Sequence, residues 1–194
     1  MTPRERPDAT ALSRWSTPRL VAHIRDRYHD AHRRDLAEVV AAAESLERAY
    51  GGACGFPRGL AAHLLRLQQA IVSHQRREEL ALFPAMIAGR LHALARPLQQ
   101  MEKDHDAIDA LMASLRAMTG DFAPPAGACA RWRILYAVCR RIEADLAEHM
   151  HIEDEILFPR IRQFALAQRG PCGGGLHTIH GAQPTRPSNP GPRP

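Results

Sequence analysis

Two stretches of this chain carry the same arrangement of histidine, glutamate and an LFP tripeptide. They are SHQRREELALFP (73–84) and EHMHIEDEILFP (148–159), which share H-x-x-x-E-x-x-x-L-F-P. Within each, His74 and Glu78 or His149 and Glu153 stand four residues apart. On a helix that spacing puts an imidazole and a carboxylate on one face, one turn from each other. Such a pair can reach one metal ion or two adjacent ones. A single H-x-x-x-E arises easily on a solvated charged face, whereas two copies in matching surroundings make a much more specific pattern. A shorter echo precedes each copy, His29-Asp30-Ala31 against His105-Asp106-Ala107. The offset is 76 residues for the first histidines and 75 for His74/His149 and Glu78/Glu153, so the second half of the chain reads as a structural duplicate of the first.

Four histidines and two glutamates are more donors than one tetrahedral zinc can use. Imidazole with carboxylate suits iron or manganese, and glutamates on facing helices can bridge two ions. Two histidines per ion, two bridging carboxylates and a solvent-derived bridge leave about one open position on each metal for a small ligand or oxidant. Ligand type by itself leaves manganese and zinc open beside iron, and spacing does not say which histidine serves which ion.

Helices must position these groups. Thr17-Pro18 is a helix start, a capping hydroxyl followed by proline at the first helical position. The pattern then runs to about Tyr50, ahead of Gly51-Gly52. A second helix is expected from about Arg58 to Ala88, a third from Arg96 to Met118, and a fourth opening at Pro124-Pro125 and reaching about Phe164. On a helical wheel, Leu36, Val40, Ala43 and Leu46 lie within about 40° of His29, and comparable apolar stripes bracket His74, His105 and His149. At about 1.5 Å of rise per residue, all six residues fall at depths of roughly 14–22 Å from one end of an up-down-up-down arrangement. The expectation is an all-α, up-down-up-down four-helix bundle with His29, His74, Glu78, His105, His149 and Glu153 meeting in one buried layer. His23, His32, His63, His92 and His151 read as surface or second-shell residues, His177 and His180 as solvated tail residues, and Tyr28, Tyr50 and Trp132 as packing groups.

Composition agrees. Aromatic residues are 5% of the chain, and Ala, Leu and Arg dominate, as helices prefer. The net charge of +5 invites a nucleic-acid reading, but the basic residues alternate with acids instead of forming a stripe, so no nucleic-acid partner is expected. No apolar run approaches membrane-spanning length, the N-terminus lacks an apolar leader, and the four scattered cysteines form no CxxC pair. These features give the expectation of a cytoplasmic protein without disulfides. The domain reading is a flexible lead over residues 1–15, one bundle over 16–167, and a disordered Gly/Pro-rich tail over 168–194.

On these motifs the chain resembles the hemerythrin-like di-iron proteins of the iron–sulfur cluster repair family (the ScdA/YtfE type). The resemblance covers about residues 16–165. It is carried by RYHDAH around His29, SHQRREELALFP, MEKDHD around His105, and EHMHIEDEILFP. It implies a carboxylate-bridged pair of non-haem irons of the Fe-O-Fe type, with those six residues as ligands. It also implies a role in nitrosative or oxidative stress, repairing damaged iron–sulfur clusters by donating iron or by handling nitric oxide. The partners it implies are nitric oxide or dioxygen as small ligand and iron–sulfur proteins, with the chain a monomer or dimer. Two departures stand out. The family type carries a small cysteine-bearing N-terminal domain, which this chain is expected to lack, and Tyr50 stands where some relatives have a further histidine. Oxygen-carrying hemerythrins use five histidines where four align here, which argues against plain oxygen transport. The competing reading is a nitric oxide or dioxygen binder or sensor without turnover, and the sequence does not choose between binding nitric oxide and reducing it.

Overall fold

The structure, a computed structural model, describes residues 9–50 and 55–168. A short helix α1 (Ala9–Ser13) leads into four long ones. Helix α2 covers residues 17–50, α3 residues 60–87, α4 Ala95–Thr119 and α5 residues 130–168. Helix α2 packs on α3 and α5, and α3 packs on α4, giving the expected four-helix bundle. Of the stretch expected as a flexible lead, residues 9–13 are helical and Leu12 is buried; residues 1–8 lie outside the described residues, as does nearly all of the expected tail. No helix among the described residues is long and apolar enough to cross a membrane.

Three of the long helices are not uniformly α. A five-residue π turn occupies Arg25–His29 in α2, Glu78–Leu82 in α3 and Glu153–Leu157 in α5. In each, the following N–H reaches back five residues: Asp30 to Arg25, Phe83 to Glu78 and Phe158 to Glu153. The last two have a cause in the LFP tripeptide. Pro84 and Pro159 have no N–H to donate, and their rings would strike the carbonyls of Leu80 and Glu155 in a regular helix. Widening the preceding turn removes that clash without ending the helix. The π turn at His29 has no such proline, and α4 has no counterpart to it at His105.

The loop between α4 and α5 departs from the sequence reading. Gly120 ends α4 in the left-handed region, and Asp121 and Phe122 stay there at φ 61° and 57°. Arg140 donates to the carbonyls of both, and the Phe122 ring is buried. Ala123 and Pro124 each precede a proline, which disfavours helical backbone. Helix α5 therefore begins at Ala130 behind Cys129 and not at the proline pair.

The apolar interior forms two clusters. One runs through Leu36, Leu46, Leu64, Ile71, Leu115, Trp132 and Leu146. The other, at the opposite end, includes Leu20, Ile24, Leu82, Phe83, Met101, Leu157 and Phe158. A layer of buried polar side chains lies between them.

Candidate metal centre

That layer is made by the six residues singled out from the sequence. His29 closes the π turn of α2, and His105 sits mid-way along α4. His74 and His149 lie one turn before Glu78 and Glu153, which open the π turns of α3 and α5. None of the six is more than 5% exposed. Their donor atoms gather into two groups: His29, Glu78, His149 and Glu153 in one, and His74, His105 and Glu153 in the other, with the atoms of each within 4.8 Å of one another.

The histidines pair across the bundle. The Nε2 atoms of His29 and His149 are 3.2 Å apart, and those of His105 and His74 are 3.3 Å apart. Both carboxylates stand between the pairs. Glu153 turns Oε1 to His149 Nε2 at 2.8 Å and Oε2 to His105 Nε2 at 3.3 Å. Glu78 places Oε2 3.4 Å from His29 Nε2 and 3.3 Å from His74 Nε2. Both Glu78 oxygens and Glu153 Oε2 are buried without a protein hydrogen bond. Three buried carboxylate oxygens without a hydrogen-bond donor, set among four imidazole nitrogens, form an arrangement that cations satisfy. The residues present fit a metal centre.

Charge follows the same geometry. Burial pushes Glu78 well above the usual carboxylate range, and the adjacent Glu153 adds to the rise. For Glu153, burial also acts upward, but His149, His105 and His74 outweigh it and hold the carboxyl well below that range. Burial, with His149 alongside, brings His29 down to about 4, and burial lowers His74 as well. His105 runs against its own burial, because Asp154 and Glu153 carry it up to about 10.

Two of the four outer ring nitrogens find hydrogen-bond partners that the sequence reading missed. His29 donates Nδ1–H to Glu79 at 2.8 Å, and Arg33 holds the same oxygen at 3.0 Å. His105 donates Nδ1–H to Asp154 at 3.1 Å. Glu79 and Asp154 each follow the glutamate of their repeat, so aligning the repeats column by column was the available signal. His74 has Asp104 at 3.6 Å, a carboxylate that Arg77 and Gln100 fix in place. Phe83 and Phe158 of the LFP tripeptides stack on His29 and His105 with ring centroids 5.9 and 5.7 Å apart. A cavity of about 290 Å³ beside His105 is edged by Glu102, Asp106, Asp109, Asp154 and Glu155, and by the basic Arg162.

The remaining histidines divide. His23 is half-buried and His92 and His151 are exposed, but His32 and His63 are inside. His63 is not a surface or second-shell group: it donates Nε2–H to the Leu111 carbonyl at 2.9 Å and accepts from Arg66, a hydrogen-bonded core residue away from the centre. Tyr28 is buried against His149, and Tyr50 and Trp132 pack together at the other end of the bundle. His177 and His180 lie outside the described residues.

With this geometry in hand, comparison with known proteins is specific. The family model described as the hemerythrin HHE cation binding domain matches residues 20–161, which contain all six residues of the layer. Proteins named iron-sulfur cluster repair protein YtfE, from Yersinia pseudotuberculosis serotype O:1b (strain IP 31758) and from Yersinia pestis (strain Pestoides F), are each 40% identical to it over 141 residues. The match takes in 73% of this chain and 64% of each relative, so the chain spans a little under two thirds of their length.

Proposed function

Because the chain belongs to the hemerythrin HHE cation-binding family, we propose that it holds two non-haem irons and serves the repair of damaged iron–sulfur clusters, by donating iron or by handling nitric oxide. In this reading His29 and His149 hold one iron, His74 and His105 the other, and Glu78 and Glu153 bridge them. The observation that carries it is the placement of Glu153. Its two oxygens face two different imidazole pairs, as a bridging carboxylate must. The repair role is supported by the similarity to proteins named iron-sulfur cluster repair protein.

Bound iron supplies a centre that takes up a diatomic ligand and changes oxidation state. The chain supplies the surroundings. Burial keeps His29 and His74 uncharged and ready to ligate, Glu79 and Asp154 orient the rings of His29 and His105 from behind, and the two apolar clusters keep bulk water from the layer.

The test is metal analysis of protein isolated without oxygen, followed by nitric oxide titration with detection of nitrous oxide. Incubation with an iron–sulfur protein damaged in its cluster completes it. Two irons per chain, with recovery of the damaged cluster, support the full reading. Iron with nitric oxide uptake but neither nitrous oxide nor cluster recovery leaves a binder without turnover. Folded protein that takes up no iron overturns the reading.

A further inference from the structure

His32 lies one turn beyond His29 on α2, is 1% exposed, and is used by nothing described above. Its ring centroid is 5.6 Å from that of His149, with the planes tilted by 49°. On its other side is Gln75, itself fully buried, whose Nε2 stands 3.4 Å from His32 Nδ1. Arg33 donates to Gln75 Oε1 at 3.3 Å and so sets which way round that amide lies. Gln75 therefore donates to Nδ1, and the proton of the neutral His32 ring sits on Nε2. No protein atom accepts it.

The same holds for His149. With Nε2 given to a metal, as the proposed function has it, the proton of the neutral ring sits on Nδ1, and Nδ1 also has no protein partner. Two of the other histidines of the layer donate their outer N–H to a carboxylate, His29 to Glu79 and His105 to Asp154, while His74 has Asp104 at 3.6 Å, beyond hydrogen-bond reach. A buried donor without an acceptor costs roughly 1–3 kcal/mol. One buried water between these neighbouring rings would satisfy both donors at once.

We propose that His32 is the positioning residue of His149: one buried water accepts from His149 Nδ1–H and from His32 Nε2–H and sets the tilt of the His149 ring toward the metal. The inference rests on His149 being a ligand. His32 thus does for His149 what a carboxylate does for His29 and His105, but with an uncharged group. The Arg33 side chain, touching both Gln75 and Glu79, ties the supports of His149 and His29 into one chain of contacts.

Iron release to a ferrous chelator, followed by Mössbauer spectroscopy so that the two irons are counted separately, tests this in the full chain. In His32→Leu one iron leaves 10- to 100-fold faster while the other keeps its wild-type rate, and His32→Gln, which retains an N–H donor, recovers most of the loss. Both irons leaving His32→Leu at wild-type rates, or both speeding up equally, overturns the proposal while leaving the metal centre standing. A crystal structure of the iron-loaded wild type gives an independent reading should His32→Leu fail to fold. A water within about 3.2 Å of both nitrogens supports the proposal. A protein acceptor on either nitrogen, or no water between them, overturns it. Folded wild-type protein that binds no iron removes the centre and this inference together.

Discussion

His29 and His105 hold the same place in successive helix pairs, α2–α3 and α4–α5, and are held in the same way. Each has a phenylalanine stacked on one side and donates its outer N–H to the acid that follows the glutamate of a repeat. Their partners across the layer are not treated alike. His74 has Asp104 at its outer nitrogen, and the corresponding position before His29 is Tyr28, whose ring stacks on His149 at 5.5 Å without supplying an acid. The two halves thus share the inner donors and differ in the outer contacts. The His74/His105 side has carboxylates near both rings and a cavity beside it edged mostly by acids, while the His29/His149 side has one carboxylate, with the Tyr28 and His32 rings packed against His149.

The severest way to break that comparison is to remove what the two sides share. Glu153→Leu takes a donor from both groups, and metal analysis is expected to find well under one iron per chain. His105→Ala touches one group only and is expected to leave about one iron, held by His29 and His149, in line with two separable ligand sets. Equal and complete loss from both variants would show that the sides do not exist as separate sites.

Next in size come the stacked rings. Phe83→Ala and Phe158→Ala each remove a buried side chain and are expected to lower unfolding free energy by about 3–5 kcal/mol. Denaturant titration reads the loss, and iron retention tells which side each ring supports. Loosening of the same iron by both variants would contradict the mirror arrangement.

Outer-contact changes are smaller and sharpen the contrast through pH. In the metal-free chain, Asp154 and Glu153 raise His105 from its ordinary value near 6.5 to about 10. The folded state then binds the extra proton between those values. Its stabilising contribution is complete below pH 6.5 and is lost as pH climbs toward 10. His29, brought down to about 4 by burial, acts oppositely, because the unfolded chain binds the extra proton and stability falls as pH drops from 6.5 toward 4. Urea midpoints of chelator-treated protein are expected to show both limbs. Asp154→Asn is expected to flatten the alkaline one and to cost its iron roughly 10–100-fold in affinity, whereas Glu79→Gln leaves that limb as it is. An alkaline limb untouched by Asp154→Asn would remove the assigned cause.

The smallest effect is expected at Leu80, which is 80% exposed and occupies the position that Glu155 has in the other repeat. Leu80→Glu copies one half onto the other and should change stability by no more than about 0.5 kcal/mol, with iron content unaltered.

Much of this organisation was legible in the residues. Apolar stripes at helical spacing gave the four helices, and the repeat gave the six layer residues, because both depend on contacts a few positions apart. The pairing of His29 with His149 and of His74 with His105 depends on which helices are neighbours, and no local spacing encodes that. The π turns were half legible: Pro84 and Pro159 advertise two of them, while the turn at His29 has no marker. The start of α5 was set too early because a proline pair reads as a helix opening, whereas here Phe122 in the left-handed region and two successive residues before proline delay it. His63 was misjudged because its acceptor is a backbone carbonyl 48 positions away.

The two apolar clusters meet only across the polar layer, and this has a consequence for how the chain comes apart. A continuous core unfolds as one unit, whereas a core cut by a sheet of buried imidazole and carboxylate has a seam across its middle. Without metal, that seam is where the chain is expected to open first, since only the helices running through both clusters join them there. Metal held by the proposed ligands on α2, α3, α4 and α5 would stitch that seam from every side, and the cooperativity of unfolding would then report occupancy.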